Sequence, residues 1–244
     1  MKAAVVFLAA AGTAVATGLG ALPLLLTRSP SRTWLGLANA LAAGFMVGAS
    51  VGLLWEGWTY GPARTLLGGA VGAGFIAVVR RLLGHRPEEL HLGAFTGADA
   101  TKMLLIVGVM TVHSFTEGVG VGVSFGDGTT LGAVIALAIA IHNIPEGLAI
   151  SLVLVPRGVT IRTAAAWSVF SSLPQPLMAL PAFLSVETFR SLLPAGLGFA
   201  AGAMLWMVAV ELLPEAVAEA PPRRVAAVGL ASAAVMIALQ ALLL

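Results

Sequence analysis

Cysteine is absent from the 244 residues, which excludes disulfides, thiolate zinc sites and cysteine nucleophiles and leaves the redox compartment open. Charge is scarce as well: 13 Lys and Arg with 11 Asp and Glu make up only 10% of the chain, and there is a single tyrosine. The pI of about 9.7 rests on a net charge of +2, so it implies no nucleic-acid partner. No glycine-rich nucleotide motif occurs, so nothing in the chain points to ATP as an energy source. Neither a His-Glu-x-x-His zinc helix nor a Glu-x-x-His carboxylate pair is present. Those would mark an intramembrane metal-dependent hydrolase, the first of two alternative classes for this chain.

Apolar sequence is plentiful. Hydrophobic residues make up 59% of the chain and the mean hydropathy is +0.99, more apolar surface than a soluble domain can hide. Each membrane span needs about 20 apolar residues. Reading spans between charged or proline-containing breaks predicts eight, over 3–27, 33–55, 65–83, 102–125, 129–154, 161–185, 193–214 and 223–244. The first continues apolar to Leu26, long enough to cross a bilayer, so it is expected to remain as a span and not to be a cleaved signal. The expected fold is an all-α polytopic membrane protein, one domain over 1–244, with an inner loop at about 81–101. Placing the N-terminus outside gives the inner loops Arg28, Arg32, Arg80, Arg81, Arg86, Lys102, Arg157, Arg162, Arg223 and Arg224. Only Lys2, Arg64 and Arg190 remain outside. The positive-inside rule thus predicts both termini on the outer face.

Two similar hexapeptides carry the chemistry: His113-Ser-Phe-Thr-Glu117-Gly118 and His142-Asn143-Ile-Pro145-Glu146-Gly147. Histidine and carboxylate four residues apart share one helix face, roughly 6 Å apart along the axis, so both can reach one ion. A carboxylate at the centre of a span costs roughly 2.5–3.5 kcal/mol, so Glu117 and Glu146 need a partner, and a divalent cation supplies one. In the alternative, each histidine merely hydrogen-bonds its neighbouring glutamate or an adjacent helix, and this would have to happen twice on consecutive spans. Pro145 cannot donate to the carbonyl of Ile141, which frees a backbone oxygen, and Gly118 and Gly147 allow close helix approach behind the ligands. The run Ala42-Ala-Gly-Phe-Met46 in the second span is echoed by Ala200-Ala-Gly-Ala-Met204 in the seventh. With the paired hexapeptides this predicts a 3+2+3 arrangement of eight helices related by an inverted repeat, with substrate near the bilayer midplane.

On these residues the chain resembles the ZIP (Zrt/Irt-like) divalent-metal transporters, and is similar to their bacterial GufA-like branch. The resemblance covers nearly the whole length, and its strongest motif is His142-Asn143-Ile-Pro145-Glu146-Gly147. It implies eight helices, a metal site between the fourth and fifth, a homodimer in the lipid bilayer, residence in a bacterial inner membrane, and movement of metal into the cytoplasm. Carried over by position, the implied metal ligands are His113, Glu117, His142, Asn143 and Glu146, with Met46 as a thioether from the second helix. Two departures stand out. Ser114 and Thr116 replace the asparagine and proline that many members carry in the fourth helix. In the sixth, Ser172-Leu-Pro-Gln175-Pro176 presents an amide where many relatives have a carboxylate, so a second bridged ion is weakened while Gln175 can still offer its carbonyl oxygen.

Outside the hexapeptides, Glu211 in the seventh span reads either as an interfacial group near the inner helix end or as a release-path ligand or proton acceptor. Glu56 reads as an interfacial group near the outer end of the second span. His85, Glu88, Glu89, His91 and Asp99 belong to a solvated inner connector. Nitrogen and carboxylate donors without thiolate suit Zn²⁺, Fe²⁺, Mn²⁺ and Cd²⁺ alike, and the affinity order does not choose among them; Zn²⁺ is the leading expectation as substrate. The expected function is transport of such an ion by movement of one three-helix group against the remainder. A metal-sensing membrane protein, the second alternative, would need no continuous polar path.

Overall fold

The computed structural model describes residues 2–26, 31–84, 91–92, 95–96 and 98–243. Its helices are α1 (Lys2–Leu19), α2 (Arg32–Tyr60), α3 (Pro62–Gly84), α4 (Ala98–Asp127), α5 (Thr129–Leu154), α6 (Ile161–Ser171), α7 (Pro174–Thr188), α8 (Leu193–Met207), α9 (Leu213–Glu219) and α10 (Pro222–Leu243). Seven stretches among the described residues are long and apolar enough to cross a membrane: Lys2–Leu25, Arg32–Tyr60, Pro62–Leu82, Thr129–Leu154, Ile161–Thr188, Arg190–Glu219 and Pro222–Leu243. Between the third and fourth of these runs α4, whose 30 residues reach about 45 Å at 1.5 Å per residue. Eight helical passes result, as the sequence predicts.

The helix ends follow local chemistry. Ser31 caps α2 by accepting from the Trp34 amide at 3.3 Å, and Thr160 caps α6 by accepting from Thr163 at 3.2 Å, each satisfying an otherwise orphaned donor. Gly158, at φ 90, ends the 3-10 turn after α5 in the left-handed region that glycine tolerates best. Between α3 and α4, β1 (His91–Leu92) pairs antiparallel with β2 (Phe95–Thr96). Of the candidate residues there, His85, Glu88 and Glu89 lie outside the described residues, and Asp99 falls in the first turn of α4.

Two spans differ internally from the regular helices expected. In the sixth, Pro174 and Pro176 lack amide donors for the carbonyls four residues back. The chain tightens there to three-residue bonds, Leu173 to Phe170 at 3.1 Å and Gln175 to Ser172 at 3.0 Å, so α6 stops and α7 starts afresh. In the seventh, Pro214 removes the donor for Val210, and Val208–Leu212 forms a π turn that joins α8 to α9. Pro145, by contrast, is accommodated within α5, which stays helical from Thr129 to Leu154.

The helices associate in two sets. α4 packs along α7, and α1 along α5, α6 and α7; separately, α3 packs along α8, and α2 along α10, α8 and α9. Within each set glycines bring backbones into contact. A Cβ on Gly118 or Gly122 would strike the α7 backbone, and one on Gly68, Gly72, Gly198 or Gly202 the facing backbone of the α3–α8 pair. Where α4 meets α8 across the seam the contact is made by side chains: Gly120 faces the Ala200 methyl and Gly196 the Val123 side chain.

Candidate metal centre

The centre lies where α4 and α5 cross. His113 and Glu117 come from α4 and His142 and Glu146 from α5, each pair one helical turn apart, and one ligand atom from each of the four lies within 4.8 Å of all the others. The first three are 0% exposed and Glu146 is 2% exposed. His142 Nε2 sits 2.5 Å from Glu117 Oε1. His113 Nε2 is 3.4 Å from the same oxygen but is not aligned to bond it. So the bond runs between helices: His142 pairs with the glutamate of the adjacent helix, as the hydrogen-bonding alternative allows, while His113 has no bond to its own glutamate.

The unmet groups are more telling than the bonds. Both carboxylate oxygens of Glu146, both ring nitrogens of His113, His142 Nδ1, Asn143 Oδ1 and Ser114 Oγ are buried without a hydrogen-bond partner. Leaving a buried polar group unsatisfied costs about 1–3 kcal/mol, and more for a charge. Two buried carboxylates with neutral imidazoles carry a formal charge of −2, which a divalent cation cancels. Two nitrogens and two carboxylates are also the donor types and number that tetrahedral zinc takes.

Behind the quartet is a polar layer supplied by α1, by α5 and by the break between α6 and α7 with the start of α7. Gln175, 0% exposed, donates from Nε2 to Glu117 Oε2, while its Oε1 accepts from Thr13 Oγ1 and from Asn143 Nδ2 at 3.3 Å. Asn143 Nδ2 also donates to the Thr13 carbonyl at 3.0 Å, and Thr17 shares a hydroxyl bond with Ser172 at 2.8 Å. Thr13 and Thr17 are absent from the sequence-based candidates. Their signal is present all the same: two hydroxyls four apart on one face of an otherwise apolar helix. Gly118 lies against the Gln175 backbone and Gly147 against that of Thr17, which lets α7 and α1 reach this depth.

The other candidates lie on the partner set of helices. Met46 is 1% exposed on α2 and shares a core cluster with Met110, Ile139 and Met204. Glu56 is in the last turns of α2. Glu211 sits in the π turn, ion-paired with Arg80, whose guanidinium is 5.8 Å from the Trp206 ring centre.

Cavities open at both ends of the bundle. One of about 430 Å³ is lined by Lys2, Phe125, Asp127, Glu187 and Arg190. Here Asp127 accepts from Tyr60 at 2.7 Å and from Arg190 at 2.9 Å. The opposite cavity, about 440 Å³, is lined by Asn39, Met110, Ala149, Glu211, Glu215 and Glu219 among others. Met110 and Ala149 lie three residues from His113 and Glu146, about 4.5 Å of helix rise, whereas Phe125 is eight residues, about 12 Å, beyond Glu117. Access to the centre is therefore shorter from the second side.

A family model described as ZIP Zinc transporter matches residues 85–240. A protein of Arabidopsis thaliana provisionally named a zinc transporter is 47% identical over 232 residues, 94% of this chain and 37% of its own length. Zinc transporter GufA of Myxococcus xanthus is 37% identical over 84% of this chain and 85% of its own. Zinc transporter ZIPB of Bordetella bronchiseptica is 34% identical over 84% of this chain and 70% of its own. The chain thus spans little more than a third of the plant relative and most of the two bacterial ones.

Proposed function

Since this chain belongs to the ZIP zinc transporter family, we propose that it carries a divalent metal ion, Zn²⁺ foremost and Fe²⁺, Mn²⁺ or Cd²⁺ as alternatives, across a membrane into the cytoplasm. The ligands are His113, Glu117, His142 and Glu146. The observation that carries this reading is Glu146, a carboxylate in the middle of the protein with no partner on either oxygen and three other metal-binding side chains around it. Asn143 Oδ1 and the Met46 thioether are auxiliary donors that the ion meets on entering or leaving the four-ligand centre, and Glu211 receives the ion on its way out.

The protein resides as a homodimer in a bacterial inner membrane, one domain over 1–244 with both termini outside. Lys2 and Arg190 then mark the outer mouth, and the cavity lined by Glu211, Glu215 and Glu219 opens to the cytoplasm. The helices form a 3+2+3 inverted repeat. In support, α3 lies on the seventh span as the eighth lies on α2, and α1 lies on α5 as the sixth lies on α4. All four ligands and the polar layer behind them belong to the set α1, α4, α5, α6 and α7. The ion therefore travels with that set as it shifts against α2, α3 and α8–α10, a larger moving group than three helices.

Uptake of zinc by liposomes holding only the purified chain tests the proposal. His142→Ala is expected to abolish uptake while the protein still inserts. Wild-type flux by that variant at matched protein level would remove the site assignment.

A further inference from the structure

Gln175 has every polar atom of its side chain committed. One face of the amide donates to Glu117 Oε2; the other accepts from Thr13 Oγ1 and Asn143 Nδ2. Turning the amide over would set its carbonyl against a carboxylate and its NH₂ against the Asn143 donor, so the orientation is locked. Withdrawal is blocked too, because the Gln175 backbone lies against Gly118, one residue beyond Glu117. Glu117 is left with Oε1 as its one oxygen facing the two histidines.

We infer that Gln175, anchored by Thr13, is a specificity-determining residue: it holds Glu117 to a single available oxygen and thereby keeps the centre near four-coordinate. This rests on the quartet being the transport centre. Four nitrogen and oxygen donors satisfy Zn²⁺. Harder ions such as Mn²⁺ prefer carboxylate, carbonyl and water in larger shells, which oxygen-binding sites commonly supply through bidentate carboxylates. Gln175 acts through Glu117, so it positions the ligand and does not itself bind the ion.

The test measures equilibrium binding of Zn²⁺ and of Mn²⁺ to the full chain in detergent, for wild type, Gln175→Leu, Thr13→Val and Thr13→Ser. Gln175→Leu removes the amide at similar volume. It is expected to narrow the zinc-to-manganese preference at least tenfold, mainly by tightening Mn²⁺. Thr13→Val removes one buried hydrogen bond and is expected to narrow it roughly fivefold, with Thr13→Ser restoring the wild-type ratio. A merely structural role would weaken both ions together and leave the ratio alone. An unchanged ratio in Gln175→Leu with zinc still bound overturns the inference while the transport centre stands. Failure of wild type to bind zinc at all overturns both. Should Gln175→Leu not fold, Thr13→Val and X-ray absorption of zinc-loaded wild type decide. Four nitrogen or oxygen neighbours support the inference, and five or six overturn it.

Discussion

Replacing Glu146 by methionine should move stability in opposite directions with and without metal. In the absence of an ion, Glu146 is a buried carboxyl group with two unpartnered oxygens, and an acidic side chain placed at the centre of a span without compensation costs roughly 2.5–3.5 kcal/mol on the membrane-insertion scale. Methionine matches its length and carries no charge, so metal-free Glu146→Met should be more stable than metal-free wild type by about 2–3 kcal/mol. For a chain of this size each kcal/mol shifts the melting midpoint by about 2–4 °C, giving a rise of about 4–12 °C. With zinc at 100 times its dissociation constant, wild type should gain about 2.7 kcal/mol, whereas the variant, having lost one of four ligands, should gain almost nothing. Thermal unfolding in detergent, after chelation and again with added zinc, reads both arms. A metal-free variant less stable than wild type, or equal zinc stabilisation of the two proteins, would refute the claim that Glu146 is held ready for a cation.

Zinc affinity should fall as pH drops from about 7.5 to about 5.5, since coordinating imidazole must be neutral and protons compete for it; alanine at both His113 and His142 should flatten the dependence, and calorimetry at each pH checks it. Gly147→Ala places a methyl against the Thr17 carbonyl, while Gly12→Ala meets nothing within 4 Å. The first should lose about 1–3 kcal/mol and the second gain up to about 1 kcal/mol, a contrast visible in melting curves. Tyr60→Phe deletes the bond from α2 to Asp127 at the end of α4, which spans the seam between the two helix sets. It should ease separation of the two sets at that mouth by about 1 kcal/mol, seen as faster labelling of a cysteine placed at Thr129.

The spans were legible because their boundaries are chemical: arginines, prolines and glycines interrupt apolar runs, and the eight expected stretches match the helices to within a few residues at most ends. α2 is an exception, continuing to Tyr60 past Glu56, a charge that reads in sequence as the end of a span. The quartet was legible as well, since four-residue spacing on a helix places both side chains on one face whatever the tertiary packing. What lay beyond reach depends on packing between distant segments. Thr13 and Gln175 are 162 positions apart, and nothing local to either announces the other. The division into two helix sets is likewise hidden, because both sets use the same small residues and differ only in which backbones touch.

The π turn at Val208–Leu212 gives the seventh span an unusual tolerance. It holds one residue more than a regular helix would place there, taken up as a local widening, so the flanking segments keep the facing of an α-helix one residue shorter. A deletion of Val208, Ala209 or Val210 could therefore close the turn into ordinary helix while Met207 and Leu213 still point where they do now. The same deletion a turn earlier or later would rotate everything downstream by about 100°. It would also pull Asn39 from Glu215 and Arg32 from Glu219. Glu211 thus occupies a stretch where its own aim can change, by sliding the bulge along the helix, without unseating the neighbours that anchor either end.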